Sequence, residues 1–466
     1  MLEEITLPSD DLEWKHKKEL KRVRKLIGLI ADVIEKNEFS PSNLETVKAG
    51  YEELSTDEKP FFFSALLRTV ETPKQEIEST LENLLAAQEG DLRWNRLLSE
   101  LRAKTESPRI KLFRKFINIP EGLKFLLGLR RDILSIQRRT SIDFGPLDEN
   151  LSHLFDSWFQ SGFLILHEIT LNSSYSQINH IQRHDLVHPM TNLEEMGKRL
   201  GHDRRCFALY HCSMPEDPVI FIEVALTKGI SRSIHEIIGQ EARTQNEIEE
   251  CDTAIFYSIN NSQEGLTGIG LGKILVFQVV DFIKQTVPSI DSFVTLSPMP
   301  GFWKNYLKRI LEGDGADFQM TRDNIRETFA QKSRKAMKQE FALQTGTQEE
   351  DFGKVLLGIL SNRSWIENPI YVKQLEKPLV EIAHYYLTKE KNVRGKPVNP
   401  VANFHMGNGA TISKKNINFL GNRSLKGLEE SCGLMVNYVY SQGWFQRIRK
   451  SFQSLLKIEG ALVIGP

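Results

Sequence analysis

Ile255–Lys273 reads IFYSINNSQEGLTGIGLGK, and its order decides how the middle of the chain folds. The β-branched and aromatic opening predicts a strand. Glycines follow at 265, 268, 270 and 272, and LGKILVFQVVDFIKQTV from Leu271 is long enough to be a helix. The run SFVTLSP from Ser292 is strand-like again. Strand, glycine-rich turn, helix and strand is the order of a βαβ unit. Where such a turn opens a helix, free N–H groups and the helix dipole favour a phosphate, and glycine lets the main chain approach it. Gly268–Lys273 matches a Walker A loop through the lysine, but Ile274 stands where Ser or Thr would hold magnesium. A dinucleotide fingerprint would need the first strand of a nucleotide domain ahead of it, and none precedes. A turn serving chain reversal alone is the other reading.

Outward from this unit the texture divides the chain. GFLILHEIT, CFALYHC, PVIFIEVAL and TAIFYSI, all between 160 and 260, are short β-rich runs bounded by turn-forming residues. Segments 323–344, 350–361, 374–390 and 423–439 read as helices, with the looser KEKNVRGKPVNPVAN between two of them. From about residue 11 to residue 140 the pattern is helical: Leu20, Val23, Leu26, Ile27, Ile30 and Val33 recur at three- and four-residue steps. Ser40-Pro41 has the form of an N-cap followed by a first-turn proline, and Thr72-Pro73 repeats it. No repeat of 34 or 40 residues is visible, so a bundle is expected rather than a solenoid. The expectation is α+β: an all-helical domain over 1–157, for packing and oligomerisation, and a larger catalytic domain over 158–466.

Composition narrows the function. The 466 residues carry 60 Lys and Arg against 61 Asp and Glu, a net charge of −1, so no bulk attraction to nucleic acid or anionic membrane follows. Four irregularly spaced cysteines make no disulfide framework and suit a reducing compartment. The N-terminal stretch lacks the apolar run of a signal peptide, no 18-residue apolar segment occurs, and the chain ends ALVIGP. A soluble cytoplasmic protein is expected.

Two further segments hold candidate chemistry. Ser297 stands in LSPMPGF directly after a predicted strand, where two prolines would stiffen the turn that presents its hydroxyl. No GxSxG elbow surrounds it, and a turn-capping role is the plainer alternative. His405 lies in NFHMGNGA among turn-formers; its charge change near neutral pH suits proton donation, although a lone histidine is often structural. The group His202, Cys206, His211 and Cys212 fits no common zinc spacing, and His184/His188 lacks the HExxH glutamate. The basic run Lys18–Lys25 reads as a solvated helix face.

Together these stretches carry a resemblance. The chain resembles the malonyl-CoA decarboxylase family in Leu186–Asn192 (LVHPMTN), Asp203–Phe207, His211–Pro215, IFIEVALTKGIS, FYSIN, the glycine loop, LSPMPGF, NFHMGNGA and GLMVNYVY. The stretches run in family order from about residue 186 to residue 440. The loop spacing also resembles the pyrophosphate loop of acyl-CoA-binding N-acetyltransferase folds. The resemblance implies a helical domain packed on a catalytic domain of N-acetyltransferase (GNAT) type. It implies conversion of malonyl-CoA to acetyl-CoA and CO2 with no metal and no organic cofactor, CoA being part of the substrate. It places Thr267, Gly268, Ile269, Gly270, Leu271, Gly272 and Lys273 at the CoA pyrophosphate, Ser297 as the active-site serine and His405 as the proton donor. One departure is Gly270, where family members often carry an acidic residue; another is the lack of a peroxisomal C-terminal tripeptide, which suits a bacterial-type, cytoplasmic version. Expected partners are malonyl-CoA and acetyl-CoA and a second copy through the helical domain, with neither nucleic acid nor membrane. An acyl-CoA-dependent N-acyltransferase and a non-catalytic acyl-CoA sensor are the competing readings, since one fold serves many chemistries.

Overall fold

Helices fill the N-terminal third because its apolar residues keep to one face. A computed structural model describes residues 19–87, 92–140, 142–185, 187, 192–441 and 443. Helix Glu19–Glu35 buries Val23, Leu26, Ile27, Ile30 and Val33 while Lys21, Arg24 and Lys25 stay exposed. Ser40 caps helix Pro41–Glu52 by accepting from the Asn43 N–H at 3.3 Å. Thr72 does not repeat that role: the helix opens at Lys74, with Pro73 in the cap position and no side-chain bond. Helices Lys59–Thr69, Gly122–Gln137 and Gly145–Trp158 contribute Phe62, Phe63, Phe125, Leu126, Leu151 and Phe155 to one aromatic-rich core.

Contacts gather the chain into two compact units, and the first is more than the N-terminal helices. It comprises 1–165 with two later excursions, 210–219 and 261–271. The second excursion holds most of the glycine-rich turn, seated on helix Gly122–Gln137. A Cβ on Gly265 would stand 2.2 Å from the Leu127 carbonyl oxygen, so only glycine fits there. Arg130, itself buried, donates to the carbonyls of Gly265 (2.6 Å) and Thr267 (3.0 Å) and pairs with Asp148 at 2.7 Å. A buried guanidinium is tolerable only with its donors satisfied in this way.

The second unit comprises 166–209, 220–260 and the chain from 272 onward. Ten strands are present among the described residues: β1 (Leu164–Ile169), β2 (Arg204–His211), β3 (Met214–Thr227), β4 (Thr253–Asn261), β5 (Ser292–Thr295), β6 (Ser297–Pro298), β7 (Ala410–Thr411), β8 (Ile417–Asn418), β9 (Met435–Val436) and β10 (Val439–Tyr440). They form a seven-stranded sheet, β1-β2-β3-β4-β5-β10-β7, and a small one, β6-β9-β8. Strands β4 and β5 are parallel, with Ala254 opposite Phe293 and Phe256 opposite Thr295, joined by helix Leu271–Thr286; the expected βαβ unit is present. Strand β10 lies between β5 and β7, antiparallel to both. The fold is α+β, a helical N-terminal region followed by a sheet-containing region.

Side-chain alternation sorts the sheet's faces. On one, Ala225, Ile255, Tyr257 and Val294 pack with Leu296, with Met435 of the small sheet and with Ile234 and Ile237 as a buried apolar cluster. On the other stand Phe256, Phe293, Thr295 and Tyr440. Two helix expectations need correction. Segment 423–439 is helical only over Leu425–Ser431, because Cys432 (φ +52°) and Gly433 (φ +75°) take left-handed conformations that end the helix and turn the chain into β9 and β10. Segment 323–344 is two helices, Arg322–Thr328 and Gln331–Thr345, separated at Phe329-Ala330. Among the described residues no helix is long and apolar enough to cross a membrane.

Helix Leu271–Thr286 begins against the aromatic ring of Phe404: a Cβ on Gly272 would lie 2.2 Å from it. Gly272→Ala is therefore expected to lower stability by about 1–3 kcal/mol, the usual cost of overpacking. Urea unfolding measures it, and an unshifted midpoint would mean that the ring yields freely.

Candidate active site

Strand β5 stops one residue short of Ser297, and that break makes the site. The Leu296 N–H still pairs with the Phe256 carbonyl of β4 at 2.9 Å. Ser297 and Pro298 then leave for the small sheet, opposite Val436 and Met435 of β9. Ser297 thus follows the strand as expected, and Thr295 and Ser297, two residues apart, belong to different sheets. Their hydroxyls meet in the gap: Ser297 Oγ donates to Thr295 Oγ1 at 2.9 Å.

His405 arrives from the opposite direction. Its segment is not a loop but the helix Pro400–Gly407, capped by Asn399, whose Oδ1 accepts from the Ala402 N–H at 2.9 Å. The same asparagine donates through Nδ2 to the Pro300 carbonyl at 3.2 Å, tying the turn after Ser297 to the helix that carries the histidine. Ser297 Oγ and His405 Nε2, 108 residues apart in sequence, stand 3.1 Å from each other. His405 Nδ1 lies 3.0 Å from the Tyr440 hydroxyl, and its ring stacks on Tyr438 at 4.7 Å with 26° between planes. Ser297 and His405 are 6% and 4% exposed, so the pair sits in a nearly dry environment.

Burial decides the charge state. Removal from water pushes the His405 pKa down from 6.5 to about 3, and the ring is neutral at physiological pH. Burial pushes the Tyr440 phenol up, so it keeps its proton. The hydroxyl contacts then suit one tautomer. Thr295 Oγ1 accepts from Ser297 and from the Tyr438 N–H (3.1 Å) and donates to the Val436 carbonyl at 3.4 Å. With its one hydrogen spent on Thr295, Ser297 accepts from His405 Nε2–H. The unprotonated Nδ1 accepts from Tyr440. The chain of donors runs one way, from Tyr440 through His405 and Ser297 to Thr295, the reverse of a histidine drawing a proton off serine.

Most of the glycine-rich turn lies in the first unit. Thr267 closes a short turn, its Oγ1 donating to the Glu264 carbonyl at 2.7 Å. Gly268 (φ +86°) and Gly270 (φ +79°) take backbone conformations that favour glycine, with open space where a Cβ would point. Ile269 donates its N–H to Leu266. Leu271, Gly272 and Lys273 form the first turn of the helix, and the Lys273 side chain is exposed.

Thr295, Tyr440 and Asn399 escaped the reading of the sequence. Asn399-Pro400 carries the cap-plus-proline signal seen at Ser40-Pro41, and the tyrosines stand in the quoted GLMVNYVY. His188 lies outside the described residues. Of the decoys, His211 has both ring nitrogens engaged: Nδ1 accepts from the Ser213 N–H, and Nε2 lies 3.1 Å from the Trp158 carbonyl. A second buried polar group, Asp185, Arg199, Glu223, Ser258 and Asn260, lies on β3, β4 and the segments beside them. Burial and the Asp185 charge push Glu223 up to about 8.

Comparison with known proteins relates the chain to a family. Residues 162–461 match the malonyl-CoA decarboxylase C-terminal domain, and residues 71–159 the malonyl-CoA decarboxylase N-terminal domain. Mitochondrial malonyl-CoA decarboxylases of Anser anser anser and Rattus norvegicus are 35% and 36% identical to it over 72% of this chain. The chain spans 64% and 65% of their lengths. Crystal structures of malonyl-CoA decarboxylases from Rhodopseudomonas palustris and Agrobacterium vitis superpose with TM-scores of 0.75 and 0.73 at 31% and 28% identity. They cover 91% and 90% of this chain, and 94% and 92% of their own. With both family domains matched in order and the quoted motifs falling inside them, the chain belongs to the malonyl-CoA decarboxylase family.

Proposed function

We propose that the protein converts malonyl-CoA to acetyl-CoA and CO2, and that the buried Ser297–His405–Tyr440 chain carries the reaction. The observation that bears most weight is the direction of that chain. A histidine that presents Nε2–H to the serine is set to give a proton, not to take one. Loss of CO2 leaves a thioester enolate, which needs a proton at carbon and a stabilised oxygen. In this reading Ser297 turns its hydroxyl from Thr295 to the malonyl carboxylate and holds it for departure. His405 then passes its Nε2 proton to the carbon while Nδ1 takes the proton of Tyr440, so the imidazole stays neutral and the enolate's negative charge rests on the Tyr440 oxygen until a proton from water restores the phenol. The thioester bond is intact in the product, and no acyl-enzyme is required. Nothing beyond the CoA of the substrate is called for as a cofactor.

Thr267–Lys273 is assigned to the CoA pyrophosphate. Two exposed glycines with positive φ, the first-turn amides of a 16-residue helix and an exposed lysine support that assignment. An N-acetyltransferase-type catalytic domain is supported by the parallel β4–β5 pair with this turn at the start of its crossover helix.

Three outcomes test the reading. Ser297→Ala should lower kcat by about 10²–10³, by analogy with loss of one charge-stabilising donor, while acetyl-CoA, which lacks the carboxylate, binds as before. An acyl adduct on Ser297 that forms and decays at the turnover rate would replace this role with covalent catalysis. A Cβ on Gly268 would stand in the open space through which the main chain approaches the pyrophosphate, so Gly268→Ala should lower CoA affinity about tenfold. Calorimetry with CoA reads it, and unchanged affinity would take the loop out of the site. His405→Asn should cut kcat by about 10²–10⁴. Since burial lowers the His405 pKa, its charged form is disfavoured, and the wild-type kcat–pH profile should show no histidine limb near 6.5. A limb there that vanishes in His405→Asn would mean that the ring cycles through imidazolium.

A further inference from the structure

Away from the residues just described, one pocket in the second unit gathers positive charge. It is a cavity of about 660 Å³ lined by Arg322, Arg326, Arg334, Lys335 and Lys338, with Asp323, Glu350 and Asp351 as its acidic members. Two of the five cations are already matched. Arg322 Nη2 donates to Asp351 at 2.8 Å, and Lys338 pairs with Glu350 at 3.1 Å. Arg326, Arg334 and Lys335 have no ion-pair or side-chain hydrogen-bond partner among the described residues.

Three features show that this is more than a basic surface. First, the Nε groups of both Arg322 and Arg334 are buried with no acceptor, although such donors are nearly always satisfied in folded proteins. Second, like charges stand four residues apart on single helices, Arg322 with Arg326 and Arg334 with Lys338, and Asp351 and Glu350 offset only one member of each pair. Third, the backbone makes room for one guanidinium. A Cβ on Gly353 would lie 2.2 Å from Arg322 Nε, so a glycine at that position lets the fork rest on the start of helix Phe352–Ser361.

We propose that this pocket binds a small phosphorylated metabolite carrying two or more negative charges. Arginine forks match phosphate oxygens in shape as well as charge. A half-open pocket of this size suits a small molecule, and a chain of net charge −1 offers no broad basic surface for an extended polyanion. The proposal does not depend on the decarboxylase reading, since it rests on other residues.

The test is calorimetric titration of the full chain with inorganic pyrophosphate in about 150 mM KCl, where loose surface attraction is screened, with CoA present at saturation. One saturable site is expected, weakened about tenfold or more in Arg334→Gln/Lys335→Gln and unaltered in Gly268→Ala. If the double variant folds poorly, the exposed Arg326→Gln should show the same weakening. Absence of saturable binding, or equal affinity in the charge-removed variants, would overturn the proposal. Weakening confined to Gly268→Ala would place the anion on the glycine loop and overturn it equally.

Discussion

The Thr295 hydroxyl is the contact on which the site depends. It receives Ser297 from the small sheet and the Tyr438 N–H from the segment leading into β10, and it spends its hydrogen on the Val436 carbonyl. One side chain thereby joins two sheets and sets the direction of every proton in the buried chain. Its backbone is held as firmly: the N–H donates to the Tyr438 carbonyl at 2.9 Å, and the carbonyl accepts from Asn437 Nδ2 at 2.7 Å. A valine would keep the β-branched shape of Thr295 and lose the polarity that orders Ser297.

Magnitudes decide how His405 behaves. It lies in the last turn of helix Pro400–Gly407, where the dipole favours a positive ring by up to about 2 kcal/mol. Burial acts against charging, and a fall from 6.5 to about 3 corresponds to roughly 5 kcal/mol. Burial wins. The linkage sign follows: below pH 6.5 the unfolded chain binds a proton at this position that the folded chain refuses, so folding loses stability as pH falls from 6.5 toward 3. Glu223 is displaced in the opposite sense. Its carboxyl, raised from 4.5 to about 8, keeps a proton that the unfolded chain releases, and that contribution is lost as pH rises toward 8. The two buried groups press on stability from opposite sides.

The sequence made the frame legible and left the site's supports obscure. The βαβ order could be read because a strand, four glycines and a helix lie within one local stretch. The bundle could be read from periodicity alone. Ser297 and His405 stood out by residue type and family motif, but their meeting could not be read from spacing, being a contact across 108 residues. Tyr440 was concealed because GLMVNYVY is as apolar as a helix face. Only the left-handed turn at Cys432-Gly433 shows that it is two short strands. The helix under His405 went unread because Asn399-Pro400 sits in a lysine- and glycine-bearing stretch that resembles a linker. The seating of the glycine turn on Arg130 and Leu127 had no local signal, since its partners lie about 135 residues away.

Strand β10 is two residues long, yet it is threaded between β5 and β7, and it is the last strand of the described chain to leave the ribosome. A growing polypeptide can therefore carry Ser297 and His405 complete while Thr295 still lacks the neighbour 143 residues downstream that orders it. Closure over so long a separation is slow relative to local helix formation. The buried hydrogen-bonded chain from Tyr440 to Thr295 would accordingly be complete only after synthesis has passed Tyr440.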